Sequence, residues 1–534
     1  MVNFVWRSDR TRPGHGSSTW KRRIVTVLRA ALLAAPTLVL AACAVGPRFT
    51  RPSPPTASAY TAPERQPRMI PGDGEPSQRL VIDGAIPAQW WELFHSAALE
   101  SVLRRAIADN PTLAAAHATL AQTQQVLLAA RAGYYPQLDF GATLERQQGP
   151  AFALGLLGLL PGKHQLPTFD LYSVGPTVSY APDVFGLTRR EVQARRVGVE
   201  LERDQLAAAY LAITGNAVEQ ALTFAALRVQ IEAIRGIIRD DERNLVLVRR
   251  EFTVGRAPRT DVLAALTRLD TDQARLPPLR QARAMAEYAL TILVGGTPGR
   301  WRAPAFTLAD FHLPGRLPLS LPSRLARQRP DILAAEEQVR LRSAEAGIAT
   351  AQMYPHLALS ASIATAALRP GMLFGGSSGI WALMADLTAP VFHGGALRAA
   401  RRASLDALKA SLALYRLTVL SAFAQVAETL RALDNDAALA AAERRTLEVA
   451  RTAVQLQRAS YAAGRSNVLQ LLDAERSYQH ARLGFAAARA QRYIDSARLL
   501  VALGGGWWKS AHLCSRGCAA QSGVDRPRQG ESPR

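Results

Sequence analysis

Four segments of the chain alternate apolar and polar residues with a period of two. Leu138, Phe140, Ala142 and Leu144 alternate with Asp139, Gly141, Thr143 and Glu145, and Tyr172, Val174, Val178 and Tyr180 are set against Ser173, Gly175, Thr177 and Ser179. Leu357, Leu359, Ala361 and Ile363 alternate with Ala358, Ser360, Ser362 and Ala364, and a fourth segment returns from about Ile380 to Ala389. One apolar and one small-polar face is the mark of a half-buried strand. Strands are therefore predicted over about 137–146, 171–182, 356–366 and 380–390. Roughly ten residues is also the length of a tilted transmembrane β-strand. A soluble sheet of two hairpins is the alternative that this pattern leaves open.

Elsewhere the pattern belongs to long helices. Helices are predicted over 111–133 and 330–353, each opening on a proline, which the first turn tolerates. No proline occurs from Leu187 to Ala257, or from Val391 past Trp508. A helix of about 70 residues would reach roughly 100 Å, too long for one globular domain, so these helices are expected to project as a rod or tube. Gly255 and Gly464 mark sharp helix-to-helix turns, each into a second helix of about 35–45 residues that ends at Gly295-Gly296 or at Gly504-Gly505-Gly506.

The elements occur twice, in the same order. Asn110-Pro111-Thr112-Leu113 through Tyr135-Pro136-Gln137-Leu138 aligns without gaps on Arg329-Pro330-Asp331-Ile332 through Tyr354-Pro355-His356-Leu357, at an offset of 219. Phe252-Thr253-Val254-Gly255-Arg256 matches Tyr461-Ala462-Ala463-Gly464-Arg465 at an offset of 209, which also carries Val294-Gly295-Gly296 onto Leu503-Gly504-Gly505. The chain is a tandem duplication. Four strands per chain cannot close a membrane barrel, for which about eight is the small limit. An open sheet in lipid would leave backbone groups unpaired at several kcal/mol each. Chains must then pool their strands; three would give twelve, and the sequence allows two or four as well.

Composition agrees with helices. Of 534 residues, 48% are hydrophobic and only 7% aromatic, and three cysteines exclude a disulfide scaffold. The net charge of +21 would suggest a nucleic-acid partner. Residues 1–42 hold +6 of it, however, and 507–534 hold +3. The remaining +12 is dispersed over mixed-sign helix faces, with no basic cluster interleaved with aromatics. No nucleic-acid partner is expected.

The N-terminus reads as an address. Lys21-Arg22-Arg23 precedes an apolar stretch, broken by Arg29, Pro36 and two threonines, whose part Ala30–Leu40 is too short to span a bilayer. It ends in Leu40-Ala41-Ala42-Cys43, which resembles the lipobox of bacterial lipoproteins. Cleavage would make Cys43 the first mature residue, acylated and held to a membrane by buried methylenes. Ala44, rather than an aspartate, follows it and resembles an outer-membrane address. The expected organisation is a signal peptide (1–42), a lipid-anchored Pro-rich segment (43–90), a first repeat (91–299), a linker (300–320), a second repeat (321–506) and a basic, disordered tail (507–534).

At this point the residues resemble the TolC-type outer-membrane factors, in the lipoprotein branch similar to OprM. The resemblance spans about residues 43–506. It rests on Cys43-Ala44-Val45-Gly46-Pro47, Trp90-Trp91-Glu92-Leu93-Phe94, Asn110-Pro111 and Leu321-Pro322-Ser323. Arg329-Pro330-Asp331-Ile332, Val391-Phe392-His393-Gly394-Gly395 and Leu471-Leu472-Asp473-Ala474-Glu475-Arg476 follow in the same order. The resemblance implies an α+β membrane protein. Three chains would share a 12-stranded transmembrane β-barrel, continued by a long α-helical periplasmic barrel with a mixed equatorial region. It implies a homotrimeric exit duct in the outer membrane, joined by a periplasmic membrane-fusion adaptor to an inner-membrane RND-type transporter. It further implies a periplasmic gate, with Asp473 in an aspartate ring and Leu469 at a hydrophobic constriction. Tyr461, Thr260 and Asp261 would form a closing latch. Where some members carry a second ring aspartate this chain has Gln470, and where some carry a latch arginine it has Ser466 beside Arg465.

Other signals point away from chemistry. Gly375-Gly376-Ser377-Ser378-Gly379 matches a nucleophile-elbow string, but a strand follows it where a helix is needed. The histidines form no H-x-x-x-H pair or Cys-His cluster, so neither metal nor cofactor is expected. Cys514 and Cys518 sit in the polar tail, and an incidental disulfide or free thiols outrank ligation there. The apolar run Ala151–Leu160 falls at the tip of the first hairpin, either as packing among tips or as a constriction at the outer mouth. The competing function is a non-conducting periplasmic or outer-membrane lipoprotein with a structural or adaptor role. It would carry a lipoyl-like β-domain, which the sequence does not show.

Overall fold

The computed structural model describes residues 45–57, 59–61, 69–72, 76–84, 86–148 and 168–507. Cys43, the apolar run 151–160, Cys514 and Cys518 lie outside the described residues. The chain divides into two compact units. One gathers 127–195, 342–406 and the described residues up to 49; the other gathers 50–126, 196–341 and the chain from 407 onward. Each copy of the repeat thus contributes in the same way to both.

The first unit holds a four-stranded antiparallel sheet: β3 (Gln137–Gln147), β4 (Phe169–Tyr180), β6 (His356–Ala367) and β7 (Gly379–Thr388), in the order β3-β4-β6-β7. These are the four predicted strands, each end within two residues of expectation. The register turns the sequence alternation into two faces. Leu138, Val178, Ala361 and Leu383 lie opposite one another across the four strands, as do Phe140 with Pro176 and Ile363 with Trp381. The other face carries Thr143 opposite Ser173 and Ser179 opposite Ser360, and the Ser173 hydroxyl donates to Thr143 Oγ1 at 3.1 Å. Gly175 lets β4 and β6 approach closely, since a Cβ there would stand 2.2 Å from the Ile363 carbonyl oxygen.

The second unit is helical around a small parallel pairing. Helix α1 (Ala97–Asp109) precedes α2 (Pro111–Ala132), and Asn110 caps α2 by accepting from the Thr112 and Leu113 amides at 2.8 and 3.2 Å. Helix α3 (Leu187–Thr253) and its counterpart α7 (Ala396–Ala462) are each 67 residues long. The second copy returns in one helix, α8 (Val468–Ala502). The first copy differs from the expected single helix: it returns as α4 (Arg259–Ala274) and α5 (Leu276–Leu293). Pro277 and Pro278 have no N–H to give the Gln273 and Ala274 carbonyls, so the ladder breaks there. Helix α6 (Pro330–Ala351) repeats α2.

Segments read as an anchor and a linker meet in this unit. Strand β2 (Gln78–Ile82) pairs in parallel with β5 (Arg316–Leu319) and antiparallel with β1 (Met69–Ile70). Buried Arg492 on α8 donates to Gln78 Oε1 at 3.0 Å and to the carbonyls of Gly72 and Pro76 at 3.3 Å. Trp90, Trp91 and Phe94 form a single helical turn and enter the main core beside Leu99, Leu103 and Tyr210. Burying each such side chain stabilises the fold by about 2–3 kcal/mol.

Candidate functional site

Two regions are candidates for function, one in each unit. Among the described residues both outer strands of the sheet keep an unpaired edge: β3 pairs only with β4, and β7 only with β6. Every residue of β7 is exposed, Leu383 at 77% and Trp381 at 79%, and on β3 Phe140 is 74% exposed. A long edge with a naked apolar face is a template for further pairing, which soluble proteins avoid. The opposite face is richer in hydroxyls, alanines and glycines and also carries the carboxylates Asp139, Glu145 and Asp386.

The second region lies at the helix-to-helix turns. Gly255 (φ +76°) and Gly464 (φ +69°) end α3 and α7 in the left-handed conformation. In both turns the residue after the glycine reaches back five positions: the Arg256 amide bonds the Glu251 carbonyl at 2.8 Å and Arg465 bonds Ser460 at 2.9 Å. This is the Schellman closure, which satisfies carbonyls the helix end would otherwise orphan. Asn467 then caps α8 by accepting from the Gln470 amide at 2.9 Å, while the Gln470 side chain accepts from the Asn467 amide at 3.4 Å. Gln470 thus closes a capping box.

Behind these turns a small core joins the two copies. Leu245 and Val248 of α3, Ala265 and Leu269 of α4, and Val468 and Leu472 of α8 are buried together, with Tyr461 packed against them. Burial raises the Tyr461 hydroxyl above its ordinary pKa, Glu251 adds to the rise, and Arg256 opposes it. Asp261 lies in the first turn of α4, where a carboxylate faces the positive helix end, and its amide bonds the Pro258 carbonyl. Among the described residues, neither Thr260 nor Asp261 forms a side-chain hydrogen bond to Tyr461 within the chain. Leu469 is the second residue of α8, and its side chain lies outside the described set. Asp473, one turn further, is 77% exposed at its side chain and receives Arg268 Nη2 at 3.3 Å. Arg268 Nη1 also donates to the Leu472 carbonyl at 3.2 Å.

Sequence reasoning missed a third feature nearby. Asp241 of α3 and Asp272 of α4, both buried, share a side-chain hydrogen bond. Burial and the neighbouring Asp272 push the Asp241 carboxyl up to about 7. Asp241 Oδ2 has no hydrogen-bond partner of its own among the described residues, while Asp272 is paired with Arg275 at 3.3 Å. Beside them the Gln479 amide donates to Asp240, and the Asn244 amide donates to Glu475 at 2.9 Å. His480 is held below its ordinary pKa, by burial first and then by Arg275 and Arg476. No group of three or more His, Cys, Asp or Glu side chains among the described residues is arranged to hold a metal ion.

Comparison with known proteins returns the same duplication. A family described as outer membrane efflux protein matches residues 102–296 and again 321–505. The outer membrane protein OprJ of Pseudomonas aeruginosa is 28% identical over 478 residues, covering 88% of this chain and 94% of the relative. A probable outer membrane lipoprotein, SilC of Salmonella typhimurium, is 24% identical over 476 residues, covering 88% and 97%. The open state of the Neisseria gonorrhoeae MtrE outer membrane channel superposes with a TM-score of 0.74 at 25% identity, covering 87% of this chain and 99% of that one.

Proposed function

The chain belongs to the outer membrane efflux protein family, and from that membership we propose that it is the outer-membrane exit duct of a tripartite efflux or export system. Small molecules delivered by a periplasmic membrane-fusion adaptor and an inner-membrane RND-type transporter pass through it to the exterior. No reaction is catalysed; the gradient is set by the pump.

One observation carries the reading: a two-faced, four-stranded sheet whose two edges are unpaired among the described residues. Three copies placed edge to edge supply twelve strands, and closure removes every unpaired edge. The Leu138–Phe140–Leu383–Trp381 face then meets lipid, and the small-polar face lines a water-filled lumen. The long helices of the three chains continue the duct into the periplasm. Acyl chains on Cys43 add an anchor to the outer membrane.

The gate is assigned to the turns and the start of α8. Leu469 forms its hydrophobic constriction. Asp473 from three chains forms a ring whose carboxylates favour cations and repel one another. Tyr461 with Thr260 and Asp261 forms its closing latch. Gly255 and Gly464 shape the periplasmic tip that the adaptor meets.

Fractionation and planar-bilayer recording test the proposal together. The expected result is a heat-labile trimer in the outer-membrane fraction that conducts ions. Monomers in the soluble periplasmic fraction, or a membrane trimer without conductance, would overturn it.

A further inference from the structure

The buried Asp241–Asp272 pair has no counterpart in the second copy. At the offset of 209 that superposes the two long helices, these positions are Ala450 and Ala481, both buried. The same helix-pair architecture therefore packs with two methyl groups where the first copy places two carboxyls. Packing does not require the acids, and two buried carboxylates in contact repel unless they share a proton.

The pair also sits at a mechanical weak point. Asp272 lies in the last turn of α4, and Arg275 is both the end of α4 and the start of α5. Beyond it, Pro277 and Pro278 leave the Gln273 and Ala274 carbonyls without their helical donors. On the other side of this kink, α4 carries Arg268, which holds Asp473 and the Leu472 carbonyl on α8.

We propose that the Asp241–Asp272 carboxyl pair is a proton-held clasp that keeps the arm Arg259–Ala274 packed on α3, and that losing the shared proton lets this arm swing about the Arg275–Pro278 kink. The groups facing the pair come from three helices. Helix α3 contributes Asp240 and Asn244; α4 contributes Arg268 and, at its end, Arg275; α8 contributes Glu475, Arg476, Gln479 and His480. Asp240 disfavours a second charge, and Arg268 partly offsets it. Asp272 keeps Arg275 as its counter-ion, so Asp241 is the member that holds the proton.

The sign follows from where the proton binds more tightly. In the packed state the Asp241 carboxyl is pushed up to about 7, whereas an arm swung into water returns it toward the ordinary 3.8. The packed state is therefore favoured at low pH. Between those two values each added pH unit shifts the packed-to-swung ratio by about tenfold toward the swung arm.

Spin labels at Val246→Cys on α3 and Leu263→Cys on α4 test this in the full chain, with Cys514 and Cys518 replaced by serine. Pulsed-EPR distances are measured at pH 5 and pH 8. A longer-distance population should grow at pH 8 in the parent and be absent at both pH values in Asp241→Asn and Asp241→Ala. The alanine variant reproduces the residue the second copy already tolerates, so it keeps the test readable if the amide packs poorly. An identical distance distribution at the two pH values, or an unchanged pH response in both variants, would overturn the clasp. Its consequence for the gate rests on the channel reading. Conductance absent at every pH would sink that reading and leave the clasp to be decided by the distances alone.

Discussion

Arg268 and Asp473 meet across the two copies of the repeat, with Arg268 Nη2 on α4 standing 3.3 Å from Asp473 Oδ1 on α8. The guanidinium is mostly covered while the carboxylate is largely exposed, so the arginine is the fixed member and the aspartate the movable one. Arg268 also grips the Leu472 carbonyl, and thereby ties the first turns of α8 to α4. If Asp473 lines the proposed gate, Asp473→Ala is expected to raise single-channel conductance in planar bilayers by removing charge and bulk there. Arg268→Ala should do the same through release of Asp473, and the double variant should show less than the sum of the two effects. Unchanged conductance and gating in Asp473→Ala would remove that residue from the gate.

The two tip turns allow a cleaner measurement, because nothing lies within 4 Å of a Cβ built on Gly255 or Gly464. Only the positive φ opposes a side chain there. Gly255→Ala and Gly464→Ala should each cost about 1 kcal/mol in denaturant unfolding. Asparagine should recover part of the loss, since it tolerates the left-handed region. A full loss of folding in either alanine variant would mean that the turns carry contacts beyond their backbone conformation.

Gly175 offers the opposite case, a glycine required by contact rather than by φ. A Cβ at this position would lie 2.2 Å from the Ile363 carbonyl oxygen and 2.5 Å from Ala364 Cα. The atoms that would have to move are backbone, so β4 and β6 must separate. Gly175→Val is expected to abolish the heat-labile oligomer and outer-membrane insertion. Gly141→Val, at a position with nothing within 4 Å of the added Cβ, should leave both intact.

What the sequence disclosed follows from which forces are local. Strand limits were readable to within two residues because a two-faced sheet imposes its period on every residue. The helix-to-helix turns at Gly255 and Gly464 were readable because a left-handed helix end selects glycine. The pairing of Gln78–Ile82 with Arg316–Leu319 was not readable: a short strand in a Pro-rich stretch has too few alternations, and its partner lies in the other half of the chain. The α4–α5 break is written in Pro277-Pro278, yet the equal spacing of Gly255 from Gly295 and of Gly464 from Gly504 suggests one helix in each copy. Asp241 and Asp272 look like solvated helix charges until the fold buries them against each other. Comparing the two copies in register, Asp241 with Ala450 and Asp272 with Ala481, is the signal that would have found them. Arg268 has no motif at all; its role appears only when α4 and α8 are placed side by side.

The second copy carries its own acid pair, which predicts how stability depends on pH. Asp436 of α7 and Asp495 of α8 are hydrogen-bonded, and burial together with Asp495 pushes the Asp436 carboxyl up to about 7. Arg492 and Arg498 oppose the rise. Asp495 pairs with Arg498 at 3.1 Å and accepts from the Gln491 amide at 2.9 Å, whereas Asp436 Oδ2 has no hydrogen-bond partner among the described residues. Asp436 is therefore the protonated member. A carboxyl whose folded pKa exceeds its unfolded value of 3.8 contributes stability that is complete below that value. The contribution is lost as pH rises through about 7. Asp436→Asn keeps a neutral hydrogen-bonding group at every pH and should abolish this share of the loss. Thermal unfolding should accordingly place the variant above the parent at pH 8 and bring the two together near pH 4. A parent-to-variant difference that stays constant from pH 4 to pH 8 would show that the pair shares no proton.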